Sequence, residues 1–226
     1  MTEVRPETRG LWQLGYLVEY RTDLGMRNGL GDHNLNVRGK DDVMGAKKPP
    51  FVIAIAGVSG GGKTTVTKHL IEELNHSKAL YFDDYNFDGP DDIINWVENG
   101  SDYNLWDLTP LIMDLKELCN EQLSYIVLDF PFAYKHFKIR ELIDCAVFID
   151  TPLDIALVRR VTRDFKAASV KDILSDMENY ISKGRKGYIE MLKSIKPNSD
   201  ITIDGTQPVS EIVNRICERL EERDKQ

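Results

Sequence analysis

Residues 51–70 read FVIAIAGVSGGGKTTVTKHL, an apolar run that gives way to a glycine cluster and then to a charged, helical pattern. Phe51 to Ala56 has the unbroken hydrophobicity of a strand buried on both faces. From Lys63 to Leu74 the apolar Val66, Leu70 and Leu74 recur every four residues, the spacing of one helix face. Between them, Gly57-Val58-Ser59-Gly60-Gly61-Gly62-Lys63-Thr64 fits the pattern GxxxxGK[ST] in the strand-to-helix context that gives this pattern its meaning, a phosphate-binding loop. Without side chains, the glycines let successive backbone N–H groups curl around phosphate oxygens at a helix N-terminus, where unpaired donors and the macrodipole favour anions. Gly57, Ser59, Gly60, Gly61, Gly62, Lys63, Thr64 and Thr65 form the expected nucleotide-binding set, with Lys63 on the β- and γ-phosphates and the Thr64 hydroxyl on Mg²⁺. A merely flexible glycine turn would need neither the lysine nor the hydroxyl.

Outward from this loop, short apolar runs alternate with helical periodicity. Strands are expected at Ala79 to Phe82, Tyr125 to Asp129, Ala146 to Asp150 and Ile201 to Ile203. Helices are expected at Thr109 to Leu118, from Pro152 to near Phe165, around Ile173 to Ile181, and over Val209 to Leu220. Five buried strands separated by helices imply an α/β fold, a parallel sheet covered on both faces. Residues 1–50 differ: they hold seven of the sixteen glycines, show no long periodic segment and end in Lys47-Lys48-Pro49-Pro50. They are expected to form a peripheral or poorly ordered extension, a lid or a partner-binding arm, ahead of one domain over residues 51–226.

A catalytic Mg²⁺ needs acidic support, and such groups sit at the carboxyl ends of strands in open α/β sheets. Asp129 closes YIVLDF and is the candidate to act through metal-bound water. Asp83 and Asp84 follow the strand ALYF, and one of them is a candidate to accept the proton of an attacking hydroxyl; capping the strand end is the structural alternative. Asp150, followed by Thr-Pro, is expected to cap the next helix. The segment LVRRVTRD supplies Arg159, Arg160 and Arg163, while Leu157, Val158, Val161 and Phe165 leave these cations pointing off the core. Such arginines form either a solvated helix face or a lid that neutralises a transferring phosphoryl group.

The chain of 226 residues is long enough for one sizeable core, and 42% hydrophobic with 29% charged residues is the composition of a globular protein rather than a disordered one. A formal net charge of −8 argues against broad binding to nucleic acid or anionic membranes. The longest apolar run is far short of the roughly 20 residues that cross a bilayer, and Met1 to Gly10 has no signal-peptide core, so a cytoplasmic protein is expected. Cys119, Cys145 and Cys217 lack paired spacing and are expected to be buried free thiols rather than metal ligands or disulfides.

The loop, together with FDDYNFD, FIDTPLDIALVRRVTRD and NYISKGRKGYIEMLKSIKPNSDITID, resembles the uridine kinase and phosphoribulokinase-like branch of P-loop kinases over about residues 51–222. The resemblance implies the P-loop NTPase fold with strand order 2-3-1-4-5 and an arginine lid, ATP and Mg²⁺ as cosubstrate and cofactor, and a small-molecule phosphoryl acceptor with a hydroxyl group. It assigns Asp83 as general base in preference to Asp84, Asp88 to ribose hydroxyls with Tyr85 in the same acceptor-binding set, and Arg160 and Arg163 to the ATP phosphates. Lys63 completes the catalytic group, and Thr64 with Asp129 the metal pair. Two features depart from the family. Leu118 passes to Tyr125 in too few residues for the β-hairpin that grips a pyrimidine, and LDFPFAY lacks the Glu-Gly usual there. The extra INWVENGSDYNLWDL offers Trp96, Tyr103 and Trp106, either to stack on a base or to pack in the interior.

The expected activity is transfer of the γ-phosphoryl group of ATP to a nucleoside or ribose-like metabolite. Its rivals are a same-fold kinase for nicotinamide riboside, pantothenate or a sugar, and a regulatory nucleotide switch. A scaffold that keeps the loop as a relic is the most distant. Neither an NKxD guanine motif nor an LSGGQ transporter motif is present. Self-association into a homo-oligomer is compatible with all of these.

Overall fold

The computed structural model describes residues 48–224, so the extension expected over residues 1–50 lies outside the described residues except for its last three. Five parallel strands form one sheet in the order β2-β3-β1-β4-β5, as expected: β1 Phe51–Ala56, β2 Ser77–Tyr81, β3 Tyr125–Asp129, β4 Cys145–Asp150 and β5 Ile201–Asp204. The helices are α1 Lys63–Glu73, α2 Ile93–Glu98, α3 Thr109–Leu118, α4 Phe137–Arg140, α5 Leu153–Asp164, α6 Val170–Asn179, α7 Arg185–Ser194 and α8 Val209–Asp224.

Central β1 shows why the sheet needs cover on both sides. Val52, Ala54 and Ala56 face a core with α2, α3 and α7, while Ile53 and Ile55 face one with α1 and α8. Because side chains alternate along a strand, continuous hydrophobicity is the signature of this two-sided burial. Among the described residues no helix is long and apolar enough to cross a membrane. The three cysteines are free, with Cys145 buried and Cys119 and Cys217 half-buried.

The long stretch before α3 fills the first core. Asp92 caps α2 by accepting from the Ile94 and Asn95 amides at 2.9 and 3.2 Å. Trp96, Tyr103 and Trp106 are only 3–4% exposed and meet largely edge-to-face; Phe132 joins them, its ring 4.9 Å from Trp106 and 5.2 Å from Tyr103. These aromatics therefore pack. None of the three is open to stack on a base.

The helices after β4 also differ from expectation. Instead of one helix near residues 173–181, α6 runs through a π-helical segment, Tyr180–Gly184, straight into α7, giving one rod from residue 170 to 194. Ser169 and Asp172 form a capping box at its start. Asp150 is not the cap of α5; its carboxylate takes the Lys196 ammonium at 2.6 Å, and Pro152 occupies the cap position.

The phosphate loop between β1 and α1 is seated against its neighbours. Gly57, Gly60 and Gly62 have φ of 150°, 76° and 102°, a region L side chains rarely adopt. A Cβ on Gly60 would lie 2.1 Å from the Ala156 carbonyl oxygen of α5. Gly60→Ala is expected to cost more than about 1 kcal/mol in a urea melt, because both the backbone angle and the contact with α5 oppose it. Trp106→Ala is expected to lose about 3–5 kcal/mol in the same melt, since its neighbours cannot collapse into so large a space.

Candidate active site

Register fixes the site before any side chain is considered. Ile55 of β1 pairs with Asp129 of β3, and Asp129 in turn with Tyr81 of β2, so the three strands end together. The loop leaves β1 at this edge, and Asp83 stands two residues beyond Tyr81 on a 3₁₀ turn, Phe82–Asp84.

Within the loop, the Gly61 amide donates to the Val58 carbonyl at 3.0 Å and the Lys63 ammonium to the same oxygen at 3.3 Å. Thr151, just after β4, donates its hydroxyl to the Gly61 carbonyl at 2.8 Å. Lys63 and Thr64 open α1, where the first-turn amides lack helical partners. The Thr64 hydroxyl donates to buried Asp129 at 2.5 Å. Two hard oxygen donors thus converge beside an anion-binding loop, a set suited to Mg²⁺, which takes few protein ligands and keeps the rest as water or phosphate oxygen. Thr65 is exposed on the first turn of α1.

Asp83 opens to solvent at the rim, yet the protein mass around it pushes its carboxyl above the ordinary range. Lys63 and Arg163 oppose that shift, and Asp129 and Asp84 add to it. A carboxyl raised in this way accepts a proton more readily than an ordinary aspartate. Tyr81 is raised by burial and by Asp129 and Asp84.

The arginines separate. Arg163 at the end of α5 stays half-exposed, chelated by Asp164 at 2.6 and 3.0 Å, and its field reaches Asp83. Arg159 donates to the Gly205 carbonyl at 3.0 Å. Arg160 does not point off the core as expected. It is 3% exposed and forms a two-pronged pair with Asp176 of α6, at 3.0 and 2.5 Å. The i, i+4 rule sets α5's faces, and position 160 falls on the face with buried Ala156.

Tyr85 and Asp88, expected on the acceptor side, have partners of their own. Tyr85 stacks on Phe87 with centroids 5.4 Å apart and donates its hydroxyl to Asp114 at 2.7 Å. The Asp88 side chain is exposed, and its carbonyl accepts from the Asp107 amide at 2.9 Å. Two residues that sequence reasoning missed also touch the loop or its support: Thr151 on the Gly61 carbonyl and Asp176 on Arg160. Only Thr151 had a signal, as the residue after a strand-end acid.

No protein-family model matches the chain. A solved structure, a candidate fructose transport system kinase from Silicibacter sp. TM1040, superposes with a TM-score of 0.50 at 11% identity, over 71% of this chain and 93% of that one; the likeness is one of fold. A uridine kinase from Borreliella burgdorferi (strain ZS7) is 28% identical over 176 residues, 67% of this chain and 85% of the relative. A uridine kinase from Staphylococcus aureus (strain JH9) is 30% identical over 183 residues, 69% of this chain and 88% of the relative. With the sheet order, the glycine loop and this span of similarity in agreement, the chain belongs to the uridine kinase family of P-loop kinases and is a phosphotransferase.

Proposed function

We propose that the protein transfers the γ-phosphoryl group of ATP to a hydroxyl of a nucleoside or ribose-like metabolite. The observation that carries this reading is the juxtaposition of Asp83, Lys63 and the Thr64–Asp129 pair at one sheet edge. The loop amides and Lys63 hold the triphosphate, with Ser59, Gly60 and Gly62 shaping the cradle. Thr64 and Asp129 hold Mg²⁺, which when bound neutralises charge on the phosphate oxygens. Asp83 takes the proton of the acceptor hydroxyl, and Arg163, the exposed lid cation, meets the charge that spreads over the transferring group. Arg160, buried on Asp176, acts by holding the lid rather than from the phosphate side. Asp88 and Tyr85 line the acceptor side. The protein works in the cytoplasm without nucleic-acid or membrane partners.

The burial of Trp96, Tyr103 and Trp106 favours a second reading of the acceptor alone: a sugar, pantothenate or nicotinamide riboside, bound without the aromatic grip that a pyrimidine would use. ADP release measured with uridine, cytidine, nicotinamide riboside, pantothenate and simple sugars separates the two. ADP release that no acceptor stimulates would remove both.

Lys63→Ala is expected to lower kcat/KM by at least about 100-fold with an unchanged circular dichroism spectrum. Full activity in that variant would end the phosphate-loop mechanism. Asp83→Asn is expected to lose roughly 10²- to 10⁴-fold in turnover. In the wild type the rate should fall as pH drops through the raised Asp83 value, so the acid limb lies above the range of an ordinary aspartate. The stability effect has the opposite sense. A carboxyl raised on folding favours the fold below its unfolded value and loses that contribution as pH rises through the folded one. Asp83→Asn is therefore expected to raise Tm at pH 7 even as it lowers turnover.

A further inference from the structure

Thr151 is 1% exposed where β4 gives way to α5, and the phosphoryl-transfer reading gives it no part. Its hydroxyl nevertheless donates to the Gly61 carbonyl of the phosphate loop at 2.8 Å, across ninety residues of chain. Several constraints hold the side chain there. Its own amide donates back to the Ile149 carbonyl at 3.2 Å, and the Pro152 that follows disfavours a helical backbone at position 151. A β-branched side chain also has few choices at χ1. From the other side comes Gly205, just after β5, where a Cβ would run into the Thr151 Oγ1 and stand 2.7 Å from the Ile149 Cγ2. Gly205 is tied down in turn, its amide donating to the Asp150 carbonyl at 3.0 Å and its carbonyl accepting from Arg159 at 3.0 Å. The Thr151 hydroxyl thus sits between the loops that follow β1 and β5.

The peptide it grips is the one with least other support. The Gly61 amide is taken by the Val58 carbonyl at 3.0 Å, and the Gly62 carbonyl by the Val66 amide of α1 at 2.9 Å. Between these two bonds lies the Gly61–Gly62 peptide, flanked by glycine torsions that are soft on both sides. A Cβ on Gly62 would meet nothing within 4 Å, and α1 has no side-chain cap, so neither packing on that face nor a capping side chain fixes the peptide. The bond from Thr151 supplies what they do not. In a trans peptide the C=O and N–H point in opposite directions, and the described chain has no cis bond. Anchoring the Gly61 oxygen on Thr151 therefore turns the Gly62 N–H the other way, in series with the Lys63 and Thr64 amides that open α1. If this peptide were flipped, a carbonyl dipole would replace that N–H, and it would repel an anion that the nest has to attract.

We propose that Thr151 is a positioning residue for the nucleotide: by holding the Gly61 carbonyl, it keeps the Gly62 N–H aimed at the phosphates. The proposal rests on the kinase reading above. Its effect falls on nucleotide affinity, because amides that already converge need no reordering when the anion arrives.

The test is titration of the full chain with a fluorescent ATP analogue and Mg²⁺, well below Tm and with Tm measured in parallel, for the wild type, Thr151→Val and Thr151→Ser. Valine keeps the shape and removes the donor, whereas serine keeps the donor. Thr151→Val is expected to weaken analogue binding by about three- to tenfold, the worth of one hydrogen bond, and Thr151→Ser to stay within about twofold of the wild type. Unchanged affinity in Thr151→Val, a fall in Tm alone, or a Thr151→Ser variant as weak as Thr151→Val would overturn the proposal. If Thr151→Val does not fold, Thr151→Ala is compared with Thr151→Ser by the same criteria. A wild type that binds no analogue at all would instead overturn the kinase reading on which the proposal stands, so the two failures are distinguishable.

Discussion

The pairing of β1 with β3 is the constraint from which the site follows. Parallel strands joined by helical crossovers bring their carboxyl ends to one edge, and the pairing of Ile55 with Asp129 brings a buried acid level with the point where β1 turns into the loop. One residue of slip would turn Asp129 to the opposite face of the sheet and separate it from Thr64. The two cores oppose such a slip, because successive β1 side chains from Val52 to Ala56 are sealed alternately against two different sets of helices. Burial of hydrocarbon on both sides thus sets the position of two oxygen atoms at the rim.

Around that rim the charges are arranged against the interest of stability. Asp83, Asp84 and Asp129 stand near one another, and although Lys63 and Arg163 offset their repulsion, the loss of water around Asp83 still pushes its carboxyl up. A protein folded for stability alone would disperse these acids. Concentrated like charges and a raised carboxyl are what a proton-accepting site requires, and the surrounding sheet supplies the stability they take away.

Much of this was legible because the signals were dense and local. The glycine loop combines residue type, spacing and flanking elements within fourteen residues, and α3 and β3 fall where periodicity put them, at Thr109–Leu118 and Tyr125–Asp129. Strand order came from resemblance, since nothing in the spacing of five strands dictates their sequence across a sheet. What was missed depends on contacts remote in the chain. Six-residue α2 is too short to show a period, although Asp92 ahead of Ile93 is a recognisable cap. Arg160 looked like a surface cation because charge ordinarily implies exposure; only a partner sixteen residues away makes its burial tolerable. The choice between packing and stacking for Trp96, Tyr103 and Trp106 turned on Phe132, which lies across the sheet edge in another segment.

The rod from Val170 to Ser194 is continuous, but its middle turn at Tyr180–Gly184 is the wider kind. In an unbroken α-helix, positions 176 and 188 would be rotated about 120° apart at roughly 100° per residue, so one could face Arg160 only if the other faced away. The wide turn absorbs one extra residue and brings that angle down to roughly 20°. Asp176 and Tyr188 thereby fall in one line on the inner side of the rod. Loss of a single residue from that turn would leave the helix intact and uninterrupted, yet swing the tyrosine about a quarter-turn or more away from the side of the rod that carries Asp176.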